Sequence, residues 1–189
     1  MIKMVPQFLA LLTLLSNIFI VLLLLTFLLQ KFKILNLKKS PLATIYSLLS
    51  SNSFLFSFIV SLTAMLGSLF FSEVMKFMPC VLCWYQRILM YPQTLLLYMS
   101  ILRKEPVLKP YLLALNVIGA SIATYHYALQ KFPQTLIAPC TVVGASESCI
   151  KGYSFYFGYI SIPFMALTAF ILNIIFLSLT YAKNSQRAK

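Results

Sequence analysis

Residues 8 to 29 read FLALLTLLSNIFIVLLLLTFLL, an unbroken run without a charged side chain. A helix rises about 1.5 Å per residue, so a run of this length reaches across the roughly 30 Å hydrocarbon layer of a bilayer. Lipid offers the backbone no hydrogen bonds, so a helix is the form such a run takes there. Outward along the chain the signal recurs. Phe54 to Phe71 and Phe157 to Leu179 carry no charge, and Tyr111 to Leu129 has only His126 as a potential one. A fifth stretch, Pro79 to Leu102, is apolar apart from Arg87, and an ionised side chain at that depth requires a reason.

Composition agrees with residence in lipid. Of 189 residues, 61% are hydrophobic and 10% charged, too apolar for a soluble domain of that size. A formal net charge of +12 raises nucleic acid as a partner, but that requires basic residues gathered on one solvated face. Here they stand in short clusters between apolar runs, so membrane lipid is the expected surroundings and nucleic acid is not expected.

The clusters also orient the chain, because short loops rich in Lys and Arg stay on the cytoplasmic side. Lys31, Lys33, Lys38 and Lys39 follow the first run, Arg103, Lys104 and Lys109 join the third span to the fourth, and Lys183, Arg187 and Lys189 close the chain. Five spans with the N-terminus out and the C-terminus in satisfy every connection, and all four cysteines then face the exported side. Lys3 before the first run resembles the start of a signal peptide. The run is long and lacks a small-residue cleavage site, so a retained helix is expected. The expected organisation is all-α: an extra N-terminal transmembrane helix in residues 1–30, a cytoplasmic basic linker in 31–53, a four-helix transmembrane bundle in 54–181 and a basic tail in 182–189. Within the linker, Ser40-Pro41 signals the start of a short interfacial helix.

The cysteines stand at the edges of the spans. Cys80 and Cys83 form a Cys-x-x-Cys at the start of the third span, and Cys140 and Cys149 bracket a loop that contains Gly144. Even-numbered cysteines on an oxidising side fit disulfide chemistry, either as fixed bridges or as a redox relay. A Cys-x-x-Cys disulfide closes a very small ring and constrains the unfolded chain little, which favours redox cycling over stabilisation. Zinc is the other use of such a pair, but the second pair has the wrong spacing, so no metal is expected. In a relay, a thiolate attacks a disulfide and the bond moves on, so two pairs can act in series if a final acceptor is present.

If a helix starts near Cys80, then Cys80, Cys83 and Arg87 fall at i, i+3 and i+7 on one face. Arg87 could serve as an interfacial anchor beside Trp84 and Tyr85. It could instead stabilise the Cys83 thiolate and polarise a carbonyl of the acceptor, a quinone. His126 is a candidate proton donor to the reduced acceptor or a packing residue, and Gln130 shares its face.

The nonapeptide Pro79-Cys80-Val81-Leu82-Cys83-Trp84-Tyr85-Gln86-Arg87 resembles the core motif of the DsbB/BdbC disulfide bond formation proteins. His126-Tyr127-Ala128-Leu129-Gln130 and Phe157-Gly158-Tyr159-Ile160-Ser161-Ile162-Pro163 resemble the end of that family's penultimate span and the approach to its last. The likeness covers roughly residues 54 to 181 and leaves the N-terminal helix outside it. It implies a protein-disulfide:quinone oxidoreductase of the bacterial inner (cytoplasmic) membrane. Cys140, paired with Cys149, would take the attack of a reduced thioredoxin-fold oxidase of the DsbA type. Cys80 would exchange with that loop pair, and Cys83 would face ubiquinone or menaquinone, with Arg87 and His126 binding the quinone. A vitamin K epoxide reductase-like enzyme is a competing reading, but there the quinone-facing pair falls in a late span. A scaffold or small transporter with structural cysteines is another, but no other intramembrane charge marks a transport path.

Overall fold

The computed structural model describes residues 4–31, 42–103, 108–133 and 155–187. They form α1 (Met4–Lys31), α2 (Leu42–Ser51), α3 (Ser53–Leu69), α4 (Val81–Arg103), α5 (Lys109–Lys131) and α6 (Ile162–Arg187). Among the described residues the only β pairing is a single bridge, Tyr156 to Ile160. The chain is an all-α membrane protein in which α3 to α6 form a four-helix bundle with α1 added beside it. By length and hydropathy Met4–Thr26, Ser53–Val74, Lys109–Lys131 and Ile162–Leu179 can each cross a bilayer. The short helix expected after Ser40-Pro41 is α2.

α4 is as long as α5 but less apolar, and its burial explains the difference. Gln86, Gln93, Thr94 and Ser100 all face inward. In lipid, side-chain hydrogen bonds and small residues hold helices together, because apolar contact gains little over lipid contact. Asn116 of α5 donates through Nδ2 to Gln93 Oε1 at 2.5 Å, and Asn173 of α6 donates through Nδ2 to Ser61 Oγ of α3 at 2.9 Å. Ser53, Ser57 and Ser61, four residues apart, form the buried stripe of α3. Gly119 of α5 faces the Phe170 ring, and a Cβ there would collide with it, so the absent side chain lets α5 and α6 meet. Met90, Ala123, Ala169 and Phe170 make up the mid-bundle core, while Leu97, Leu112 and Leu177 fill one end.

Two local features shape the other end. α3 widens into a π-turn over Phe70–Val74, with Met75 N–H bonded to Phe70 O. A switch from i+4 to i+5 bonding leaves a carbonyl short of its backbone donor, and such turns recur at functional sites. The last span begins at Ile162, five residues later than the apolar run suggests. Phe157 and Gly158 have φ of 52° and 79°, left-handed values that turn the chain back through the Tyr156–Ile160 bridge. Pro163 then stands in the first helical turn, where its missing N–H costs nothing.

Candidate active site

Cys80 is the residue before α4 and caps it. Its carbonyl accepts from Trp84 N–H at 3.0 Å and its sulfur from Cys83 N–H at 3.3 Å. One turn on, Cys83 Sγ lies 3.0 Å from Cys80 Sγ, close enough for a small side-chain rotation to join them. The third neighbour comes from α5, where His126 Nε2 lies 3.6 Å from Cys80 Sγ. Gln86 Nε2 is 3.1 Å from His126 Nδ1. An amide nitrogen can only donate, so Nδ1 accepts and the proton of the neutral ring sits on Nε2, facing the sulfur. Buried Cys80 Sγ therefore has Cys83 Sγ and His126 Nε2 as polar neighbours. It also lies at the N-terminus of α4, the positive end of the helix dipole.

Arg87 is held from α3. Its Nε donates to Ser68 Oγ at 2.9 Å and its Nη2 to Ser68 O at 3.0 Å, and Tyr91 OH donates to the same Ser68 Oγ at 3.2 Å. The Ser68 carbonyl lies just before the π-turn, where backbone donors are short. The guanidinium also lies over the Trp84 ring, 5.4 Å from its centroid. Among the described residues Arg87 has no carboxylate partner, and the whole chain contains three acidic residues.

Cys83, Gln86 and Arg87 line a mostly apolar cavity of about 320 Å³. Its size is in the range of pockets that hold a small organic ligand. A second cavity of about 50 Å³ adjoins it, sharing Ser68, Cys83 and Arg87 and adding His126, Gln130 and Ser161. Gln130 Oε1 and Ser161 Oγ are buried there without a hydrogen-bond partner among the described residues. Cys80, 1% exposed, lines neither cavity, so the sulfur that meets the larger space is that of Cys83.

Four of the six residues singled out from sequence, Cys80, Cys83, Arg87 and His126, therefore meet at one end of the bundle. Cys140 and Cys149 lie outside the described residues. Ser68, Tyr91 and Gln86 were not anticipated. Ser68 continues the stripe of Ser53, Ser57 and Ser61 at helical spacing, and that periodicity was the available signal.

An end-capping dithiol with a histidine, and an arginine without a carboxylate partner among the described residues, define a membrane thiol-redox protein inside this bundle. The profile of disulfide bond formation protein DsbB matches residues 50–180, and the chain belongs to that family. It is 48% identical over 131 residues to disulfide bond formation protein C of Bacillus subtilis (strain 168), covering 69% of this chain and 93% of that protein. It is 42% identical over 121 residues to the probable disulfide formation protein C of Halalkalibacterium halodurans, covering 64% and 87% respectively. No solved structure matches it. Membership implies a role in disulfide bond formation as a disulfide oxidoreductase.

Proposed function

We propose that the protein is a protein-disulfide:quinone oxidoreductase that reoxidises an extracytoplasmic thioredoxin-fold thiol oxidase of the DsbA type, in the bacterial cytoplasmic membrane with its cysteines on the exported side. The observation that carries this reading is the division of the sulfurs: Cys83 lines an apolar cavity with Arg87, while Cys80 is paired with His126 away from it. The cavity's apolar walls, the Arg87 cation and the Gln86 amide fit a quinone head. A bound quinone accepts two electrons and two protons and leaves as the quinol.

The chain's own residues supply the rest. A reduced partner attacks Cys140 and displaces the Cys149 thiolate, the partner's second thiolate resolves the mixed disulfide and leaves the partner oxidised, and the resulting Cys140/Cys149 dithiol reduces the Cys80–Cys83 disulfide. Each exchange breaks one S–S bond and forms another, so the oxidising equivalent moves outward while two electrons move inward. His126, its Nε2–H directed at Cys80 Sγ, stabilises the leaving thiolate there and handles its proton. From the smaller cavity it also faces the Cys83 and Arg87 side, consistent with a proton-donor role toward the quinone. Arg87 favours negative charge at Cys83 and at a quinone oxygen. Among the described residues Arg87 has no carboxylate partner, which also disfavours the scaffold alternative, since an intramembrane cation is costly without a task.

The test is anaerobic reduction of ubiquinone and menaquinone analogues by the purified protein with a reduced thioredoxin-fold partner. Stoichiometric quinol for partner disulfide is the expected result. A protein whose four thiols stay locked in bridges under alkylation trapping, with no quinol formed, would sink the proposal. External labelling of a cysteine placed at Lys38 in intact cells would overturn the orientation.

A further inference from the structure

The larger cavity is not enclosed by the four-helix bundle alone. Leu9, Leu12, Thr13 and Ser16 of α1 line it together with α3, α4 and α6. These positions are i, i+3, i+4 and i+7, a single helical face. α1 lies wholly before residues 50–180, the segment shared with the family profile, so this wall is an addition to the family's bundle.

α1 is seated by specific contacts. A Cβ on Gly67 would stand 3.2 Å from Leu9 Cδ1, so the glycine lets the helices approach closely just beside Ser68, which holds Arg87. Lower down, Thr168 Oγ1 donates to Asn17 Oδ1 at 3.2 Å, and Ile20 packs with Leu172 and Phe176. The contact at Gly67 and the cluster that includes Val60 and Ile20 fix the direction. From the level of Arg87, α1 runs down the seam between α3 and α6, with Leu12, Thr13 and Ser16 facing the cavity on the way. A ligand whose polar head sits at Cys83 and Arg87 therefore extends along this face. Small and polar side chains there leave room that a Leu-rich face would fill.

We propose that α1 forms the wall against which the prenyl tail of the quinone lies, with Leu12 and Ser16 deciding which tail the cavity admits. The inference rests on the quinone reading above and concerns the tail, not the head. It can be measured by binding alone, because Trp84 is the chain's one tryptophan and its ring lies beside Arg87. Quenching of Trp84 in the full-length protein in nanodiscs gives Kd for a tail-free 1,4-naphthoquinone and for the same ring with a short prenyl tail.

Ser16→Phe fills the wall and should raise Kd for the prenylated quinone about tenfold or more, the scale of overfilling a packed site, with little change for the tail-free one. Leu12→Ala, which cannot clash, should also weaken the prenylated ligand alone. Leu15→Phe, on the exposed face of α1, should change neither. Unchanged Kd in both Ser16→Phe and Leu12→Ala, or equal shifts for the two ligands, would overturn the proposal and leave the quinone reading standing. If the wild-type protein binds neither quinone, the quinone reading itself fails.

Discussion

Replacing Arg87 with lysine separates the charge of that residue from its shape. Two of its nitrogens, Nε and Nη2, are committed to Ser68, which leaves Nη1 for a ligand in the cavity. A lysine has one nitrogen for both tasks, so it must give up either the Ser68 contact or the ligand. A charge-assisted hydrogen bond contributes about 1.5–3 kcal/mol, which corresponds to a loss of about ten- to a hundredfold in quinone reduction for Arg87→Lys. Arg87→Gln loses the charge as well and should fall further. Ser68→Ala keeps the charge but removes the Oγ that accepts from both Arg87 and Tyr91, so its loss should lie near the lower end. Stopped-flow measurement of the two half-reactions provides the assay. Partner oxidation should stay near the wild-type rate in all three variants while quinone reduction falls. If Arg87→Gln slows partner oxidation and leaves quinone reduction intact, Arg87 is a structural charge and the reasoning is wrong.

A reduced partner that lacks its second cysteine should accumulate as a mixed disulfide on Cys140 of the oxidised protein, and Cys140→Ser should not trap it; equal adducts on non-reducing gels would refute that order. Removing the ring nitrogen that lies 3.6 Å from Cys80 Sγ by His126→Ala should slow thiol exchange at the Cys80–Cys83 pair by about tenfold, read by stopped flow with the reduced partner, and an unchanged rate would refute the role of that contact. Gly119→Ala should destabilise the protein by about 1–3 kcal/mol through collision with the Phe170 ring, with partial recovery in Gly119→Ala/Phe170→Leu, measured by thermal unfolding in detergent.

The spans and the inner dithiol were legible because both are local signals: charge-free runs long enough for lipid, and two cysteines one helical turn apart. The start of the last span was not, since Phe157 to Ile160 are as apolar as the helix that follows, and only their backbone angles separate them. The holder of Arg87 was hidden for a different reason. A serine in an apolar span reads as a small packing residue, and nothing along the chain says that α3 will present Ser68 to α4. The pairing of His126 with Cys80 likewise depends on how α5 is rotated against α4, which Gly119 and the Asn116–Gln93 bond set from a distance. The polar residues Thr13, Ser16 and Asn17 were visible in an otherwise leucine-rich run, but the sequence does not say which helices they meet.

Serine in place of a carboxylate beside Arg87 bears on the speed of electron delivery. An arginine bound to an acid must break or loosen that pair before it can respond to new negative charge, and the surroundings must reorganise to let it. Among the described residues Arg87 is instead held by neutral acceptors on α3, and no carboxylate there offsets its charge. The field that an arriving electron pair needs is already in place, and little has to move when the pair arrives.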